Sequence, residues 1–411
     1  MIIMREVRVG VIGAGGVFRG AHLPAYAKIS EARLVAIADP VELALKAALR
    51  KAKEIFLKEA EQLNQLGLVE EAERLKQISS EIRVYRDYHE MLKKEELDLV
   101  DVCTPHKYHA PAVVDSLRAG VNAMVEKPPA RTYIEALDIV EAVRESEKLF
   151  QVNENYIFAS GIYLMRKLIE TGVVGEVEYV IVPCSHYGPE GKAWFWHPEI
   201  GGGGSLLDMG VHAIGVAWYL VGLEKKPVAV KAEKFTGVTI RSKERFIDGL
   251  YTKIRVEDDA HVLIRFEDPE DGSTTTALIE GSWSGKEFSS ITIYGTRGFI
   301  RDIRRDGKLF LEVNDYAGSS KLVEVQGTGS TIVSEIRYMC KCVLSGTKSL
   351  LNEEYAAEVM AIIDSAYYSE MKGRRTVLLE EFKGFAEKLR QEYGERASDK
   401  FIEMKTKLFS S

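Results

Sequence analysis

The sequence predicts an α/β protein in two parts, a doubly wound parallel sheet followed by an α/β region built on a mainly antiparallel sheet. Three observations predict it. From residue 7 to about 153, short β-branched runs alternate with longer helical segments, the pattern of a parallel sheet covered by crossover helices. The first of those runs leads straight into the glycines Gly13, Gly15 and Gly16. After Gly172 the texture changes to longer strands of alternating polarity, as in antiparallel strands with one buried face.

In the first part the strand candidates are Val7 to Ile12, Leu34 to Ala38, Leu97 to Cys103, Val121 to Glu126 and Leu149 to Val152. Helices fill the gaps. Pro111 to Ala119 closes on Gly120, where a left-handed cap residue is wanted, and Tyr133 to Glu147 follows Thr132 as N-cap. Residues 41–80 exceed what one crossover helix needs and read as a helical insertion of two helices meeting near Gly67. Its apolar face, Leu45, Leu49, Ala52, Phe56 and Leu63, fits a hairpin packed on the sheet better than a lid or subunit contact. The second part offers strands at Glu176 to Cys184, Val228 to Phe235, Ala260 to Phe266, Thr274 to Glu280 and Ser290 to Tyr294. From Thr331 the chain reads as helical, ending in a charged tail. The expected division is 1–153, 154–375 and a helical tail at 376–411, and no internal repeat is visible.

A chain of 411 residues is too long for one comfortable core, which agrees with two domains. The 62 acidic residues outnumber the 55 basic ones, a net charge of −7, so neither nucleic acid nor an anionic membrane is an expected partner. A small-molecule substrate is expected instead. The four cysteines, Cys103, Cys184, Cys340 and Cys342, suit a reducing cytoplasm. Cys340 and Cys342 form a lone CxC pair within a helix, where i and i+2 point apart, so no metal site is expected. No signal peptide is visible, and the most apolar helix, Leu206 to Val221, is interrupted by Asp208 and His212 and reads as too short to span a membrane.

The chemistry begins at the glycine turn. A strand running into Gly13, Gly15 and Gly16 permits a tight turn and close approach of a pyrophosphate to the following helix N-terminus, where Val17 and Phe18 stand. Phe18 occupies the position where this fingerprint usually has Gly or Ala. Asp39, at the end of the second strand, is placed to accept hydrogen bonds from an adenosine ribose diol and to repel a 2′-phosphate. The expected cofactor is therefore NAD in preference to NADP.

Two further elements fall at carboxyl ends of strands, the edge where open α/β sheets bind ligands: Thr104-Pro105 and Glu126-Lys127-Pro128-Pro129. Pro128 forces Lys127 into an extended conformation that can aim its ammonium into a cleft. The loop Gly201 to Gly204 then leads into a helix on which Asp208 and His212, four apart, share a face. A carboxylate beside an imidazole suits a group that must take and return a proton near neutral pH. A core histidine satisfied by a local carboxylate fits the spacing equally well. His22 reads as structural, and His89, His186 and His261 have no partner pattern to recommend them.

Together these residues resemble the glucose-fructose oxidoreductase / inositol 2-dehydrogenase / rhizopine-catabolism (Gfo/Idh/MocA) family over residues 5 to 375. The resemblance runs through the glycine turn, Thr104-Pro105 with His109 following, Glu126-Lys127-Pro128, the Asn155 region, and Gly203-Gly204 before Asp208 and His212. Glu257-Asp258-Asp259-Ala260, Ser282-Trp283 and Tyr294 to Gly298 look like the family's sheet segments. His106 replaces the family's usual Asn after Thr-Pro, and Tyr156-Ile157-Phe158 replaces an Arg-containing stretch.

The resemblance implies a Rossmann domain, then an α/β domain with a large open sheet whose free face makes a homodimer or homotetramer. It implies oxidation or reduction of a sugar or cyclitol carbon. By position, Lys127, Asp208 and His212 correspond to the family's catalytic lysine, aspartate and histidine, and cofactor contacts fall at Gly13, Gly15, Gly16, Val17, Phe18, Asp39, Thr104, Pro105, His109, Glu126 and Lys127. Asn155 and the aromatic run Trp194, Trp196 and His197 are candidates to wall a sugar site. Two other readings stay open: an NAD-dependent glycoside hydrolase that oxidises its substrate transiently, and a non-catalytic regulator that binds NAD or sugar.

Overall fold

The computed structural model describes residues 5–236, 244–284, 290–327 and 329–409. The chain divides into two compact units: Met1–Pro129, Leu137–Asn155 and Gly329–Ala356 form the first, and Ala130–Ala136, Tyr156–Thr328 and Ala357–Ser411 the second. Sequence placed one break at 153 and a separate tail from 376. Instead the helix Thr331–Ser345 returns to the first unit and the tail belongs to the second.

The first unit is built on β1 (Val7–Ile12), β2 (Ala32–Ala38), β3 (Arg83–Tyr85), β4 (Leu99–Val102), β5 (Asn122–Glu126) and β6 (Phe150–Asn153). All pair in parallel in the order β3-β2-β1-β4-β5-β6. Buried Val7, Val9 and Val11 alternate with Gly10 and Ile12, as in a strand covered on both faces. The order reverses between β1 and β4, so the segments after β1, β2, β4 and β5 emerge at one sheet edge around the switch point. β3, three residues at the sheet edge, carries too little pattern to be read from sequence.

The insertion forms the helices Glu42–Gln65 and Val69–Glu81, with Gly67 at φ +78° in the joint between them. Leu45, Ala48, Ala52, Phe56 and Ala60 of the first helix and Ala72, Leu75 and Ile78 of the second join the core with Val9 and Leu34. It is a packed hairpin. Cys340 and Cys342, on the helix Thr331–Ser345, are buried free thiols in the same core.

The second unit contains β7 (Val177–Ser185), β8 (Lys226–Thr236), β9 (Glu244–Ile247), β10 (Leu250–Lys253), β11 (Asp259–Glu267), β12 (Thr274–Ser282), β13 (Thr292–Gly295), β14 (Gly298–Arg305), β15 (Lys308–Asp315), β16 (Ser320–Glu324) and β17 (Val377–Leu378). Nine of these form a sheet in the order β16-β15-β14-β13-β7-β12-β11-β8-β17, antiparallel except between β7 and β12, and β9 and β10 make a separate hairpin. Val180, Val182, Ala277, Ile279, Val262 and Ile264 are buried on one face, where the helix Val211–Val221 packs on β7 and β12. The opposite face is half-exposed. There Leu263, Leu278 and Ile181 stand side by side across three adjacent strands.

The run Pro198–Val221 is long and apolar enough to cross a membrane by length and composition, contrary to the sequence reading, but 94% of its apolar window is buried in the protein. It is a core helix, broken at Gly202, which adopts φ +85°. The tail, whose last two residues lie outside the described residues, docks through polar bonds: Thr132 Oγ1 meets Ser398 Oγ at 2.9 Å, and Lys405 Nζ lies 3.0 Å from Asp364 Oδ1.

Candidate functional site

In the first unit the glycine turn is shaped by close backbone packing. Gly13 adopts φ +102°, and a Cβ there would lie 2.6 Å from the Cys103 carbonyl oxygen, so no side chain fits. Nothing lies within 4 Å of where Gly15 and Gly16 would carry a Cβ, which leaves their backbone open to close approach. Asp39 holds this turn from the next strand: Oδ2 accepts from Ala14 N at 2.8 Å and Oδ1 from Val41 N at 2.8 Å. Each oxygen retains a lone pair for a ribose hydroxyl. The cradle and the acceptor suit the adenosine half of a dinucleotide.

Val17 is 38% exposed beside this turn, but Phe18 is wholly buried in the core and opens a π-helical segment, Phe18–His22. The Phe18 ring therefore has no surface for a cofactor, which corrects its assignment as a contact; only its backbone N–H can serve. His109 is corrected similarly. Its Nδ1 and Nε2 lie 2.7 Å from the carbonyl oxygens of Pro128 and Thr104, so the buried ring ties two strand ends together. Pro105 is extended and opens the short helix His106–Tyr108, while Thr104 Oγ1 is buried without a hydrogen bond among the described residues.

Lys127 is half-buried and joined to Pro128 by a cis peptide bond. Behind it, Glu126 Oε1 lies 2.7 Å from His22 Nε2, and His22 Nδ1 lies 2.7 Å from Asp101 Oδ2, which also accepts from Tyr26 Oη at 2.7 Å. Burial alone would deprotonate His22, but the charge of Asp101, with Cys103 adding, holds its pKa well above the ordinary histidine value. Burial likewise opposes charge on Glu126, yet His22 first, then Lys127 and His109, keep that carboxyl below its usual range.

In the second unit the glycine loop has a structural cause that sequence did not suggest. A Cβ on Gly204 would lie 1.9 Å from the Glu257 carbonyl oxygen, and one on Gly203 would lie 2.5 Å from Tyr367 Oη. Buried Glu257 accepts from Leu206 N at 2.9 Å, Gly204 N at 3.1 Å and Tyr367 Oη at 2.7 Å. It thus satisfies backbone donors at the start of the run that carries the candidate residues. Burial, only partly offset by these bonds, pushes its carboxyl up to about 7.

That run is π-helical at Leu206–Gly210 and α-helical at Val211–Val221. Asp208 lies in the π segment, a geometry found often at functional sites, and its side chain is only 6% exposed. Its Oδ2 receives Trp283 Nε1–H at 2.8 Å and lies 3.1 Å from His186 Nε2. Because Gly188 N donates to His186 Nδ1 at 2.8 Å, the His186 proton sits on Nε2 and points at Asp208. His212 is buried and stacks on Tyr156, with centroids 4.0 Å apart and planes 11° from parallel.

His186, Trp283 and Tyr156 are the residues here that sequence reasoning missed or set aside. Trp196 is fully buried against Trp283, and its Nε1–H is spent on Pro189 O at 3.2 Å, so it braces the Asp208 partner and cannot line a sugar surface. Trp194 stacks on Phe195 at 3.8 Å, and both keep partial exposure. His197 caps the turn Pro198–Gly201 through its backbone. Asn155, in the first unit, donates to Thr331 Oγ1 at 2.9 Å.

Comparison with known proteins agrees with both units. Residues 7–154 match the model of the oxidoreductase family with an NAD-binding Rossmann fold, and residues 162–301 match the GFO/IDH/MocA C-terminal domain. The chain is 27% identical over 263 residues to D-glucoside 3-dehydrogenase of Escherichia coli, covering 63% of this chain and 67% of that one. It is 26% identical over 235 residues to levoglucosan dehydrogenase of Pseudarthrobacter phenanthrenivorans, covering 52% of this chain and 57% of the relative. A solved levoglucosan dehydrogenase in complex with NADH shares the fold, with a TM-score of 0.74 at 21% identity over 91% of this chain and 99% of that one.

Proposed function

The chain belongs to the Gfo/Idh/MocA oxidoreductase family, and from that premise we propose that it is an NAD-dependent dehydrogenase of a secondary alcohol in a sugar, cyclitol or sugar derivative. The observation that carries this reading is Asp39, which holds the open glycine turn through Ala14 N and puts a carboxylate where a 2′-phosphate would be repelled. That favours NAD over NADP. The sugar preference rests on the dehydrogenases that the chain is similar to.

Oxidation removes a hydride from carbon and a proton from its hydroxyl. The bound nicotinamide supplies the hydride acceptor, and this chain handles the proton. His212 takes the proton, its ring oriented by the Tyr156 stack. Lys127 hydrogen-bonds the reacting oxygen and stabilises its developing negative charge. Asp208, held by two N–H donors, stays an acceptor for substrate hydroxyls.

A second copy of the chain covers the open sheet face, a reading supported by the apolar row Leu263, Leu278 and Ile181. Four buried free cysteines support a reducing compartment, the cytoplasm. The test is a panel of sugars, cyclitols, sugar phosphates and glycosides with NAD+ or NADP+, scored at 340 nm and for glycoside cleavage. NADH formation with one polyol class supports the proposal. Cleavage without net NADH points to the hydrolase instead, and silence across the panel, with NAD+ bound, overturns the dehydrogenase reading.

A further inference from the structure

The hairpin of β9 and β10 stands outside the nine-stranded sheet, and the proposed reaction gives it no part. Its register is fixed by Asp248-Gly249, whose φ angles of +49° and +84° are the backbone that a two-residue type I′ turn requires. With that register set, successive residues of β9 point to opposite sides. Phe246 is 62% exposed on the outer side, while Arg245 and Ile247 turn inward and are buried. Burying an arginine is costly unless its charge is paired and its donors are placed.

Arg245 meets three groups. Its Nη2 donates to Asp258 Oδ2 at 2.7 Å, its Nη1 donates to Glu190 Oε1 at 3.1 Å, and its guanidinium carbon lies 4.6 Å from the centre of the Trp196 ring. A planar fork of N–H donors with a face that stacks on an aromatic ring makes these contacts together, which a point-charge ammonium cannot.

Each contact leads to the same carboxylate. The Asp258 carbonyl accepts from Trp283 N at 2.8 Å, and the indole N–H of Trp283 donates to Asp208 Oδ2. Trp196 packs on the Trp283 ring, with centroids 4.8 Å apart. Glu190 closes over Gly188, where a Cβ would lie 2.5 Å from Glu190 Oε2, and Gly188 N is the donor that keeps the His186 proton on Nε2, facing Asp208.

We propose that Arg245 is a positioning residue for the reaction: by tying Asp258, Trp196 and Glu190 together, it keeps the N–H groups of Trp283 and His186 aimed at Asp208. The inference rests on the role proposed for Asp208. Without the Glu190 arm, the Gly188 turn can swing away from His186 Nδ1, and the ring can carry its proton on either nitrogen. With the proton on Nδ1, the Nε2 lone pair would face the Asp208 carboxylate and repel it. Without the Asp258 and Trp196 arms, the Trp283 indole loses the groups that hold its backbone and its ring.

NMR of the full chain, with isotope-labelled histidine rings and tryptophan indoles, reads both donors without any substrate, and His186→Gln and Trp283→Phe assign the two signals. The wild type should show His186 as a single tautomer, with Nδ1 unprotonated and Nε2 protonated. In Arg245→Met the two ring-nitrogen shifts should draw together as the tautomers mix, and the Trp283 indole proton should exchange with solvent at least about 10-fold faster. Glu190→Ala cuts one arm only, so it should mix the His186 tautomers and leave the Trp283 exchange unchanged. In Arg245→Met, kcat/KM should fall about 10–100-fold with NAD+ affinity unchanged, the loss expected when a group beside the reacting centre is misaimed.

If the Asp258 charge left behind unfolds Arg245→Met, combining it with Asp258→Asn removes both buried charges and carries the same test. A role limited to packing would lower stability and leave the His186 tautomer and the Trp283 exchange as they are, and that result overturns the inference. A change in only one of the two signals when Arg245 is replaced overturns it as well. Both signals moved in a protein that oxidises no polyol would overturn the proposed activity and leave the Arg245 brace standing.

Discussion

Glu257 gives a pH signature that can be worked out in advance. Its buried carboxyl titrates at about 7 in the folded chain, against an ordinary 4.5. A raised acid binds its proton more tightly folded than unfolded, so stability falls as pH rises between those two values and then levels off. Each tenfold gain in proton affinity is worth about 1.36 kcal/mol, so raising the carboxyl from 4.5 to about 7 amounts to about 3 kcal/mol. Glu257→Gln keeps an oxygen acceptor for Gly204 N and Leu206 N but cannot ionise.

All four tryptophans, Trp194, Trp196, Trp218 and Trp283, lie in the second unit with Glu257, so urea unfolding followed by tryptophan fluorescence reads the relevant unit. Between pH 5 and 8 the wild-type chain should lose about 2.5 kcal/mol more than the variant in the difference profile, which cancels other titrating groups. Parallel profiles would refute the reasoning. They would mean that Glu257 stays ionised and that the start of the Asp208 run is held by a charge, not by a neutral acid.

Three further outcomes are expected. Trp283→Phe removes one N–H from the Asp208 carboxylate at 2.8 Å, a bond to a charged group worth about 1.5–3 kcal/mol. Steady-state kcat/KM should therefore fall about 10–100-fold while calorimetric NAD+ affinity is unchanged. Asp39→Ala deletes the acceptor for Ala14 N and Val41 N together with the proposed ribose contact; NAD+ should bind about 10–100-fold more weakly, and the proposed preference over NADP+ should shrink in the same titrations. Leu278→Asp puts a charge in the middle of the apolar row on the open sheet face, and light scattering should show the proposed assembly falling to monomer with its far-ultraviolet dichroism intact.

Local chemistry explains what was legible in the sequence. The glycine turn and Asp39 could be read because both lie at the end of a short apolar strand and their meaning depends on near neighbours. The hairpin at 41–80 and the Thr132 cap, whose Oγ1 accepts from Glu135 N at 3.3 Å, were legible for the same reason. Contacts distant in sequence left no mark. Gly203 and Gly204 read only as part of a glycine loop leading into a helix, but their lack of side chains is demanded by Glu257 and Tyr367, far along the chain.

His186 was set aside because its partner Asp208 follows at no regular spacing, although a histidine just past the end of a central strand was a usable signal. Trp196 looked like a sugar platform because burial cannot be read from an aromatic run. β14, β15 and β16 went unread because exposed charged residues interrupt the hydrophobic alternation, as in Arg301, Arg304 and Arg305 of β14, which fall on both faces of the strand. Phe18 looked like a flaw in the fingerprint. In the fold it is a core residue accompanied by a π-helical segment in the helix that follows the turn.

The central claim is that NAD-dependent oxidation of a polyol runs through Lys127, Asp208 and His212. The most direct test measures NADH formation on the best polyol for the wild type, Lys127→Ala and His212→Ala, with NAD+ affinity titrated in parallel. Turnover should fall by at least about 100-fold in both variants, the size expected when a general base or a charge-stabilising group is lost, with NAD+ affinity nearly unchanged. Full turnover by Lys127→Ala with NAD+ still bound would contradict the account.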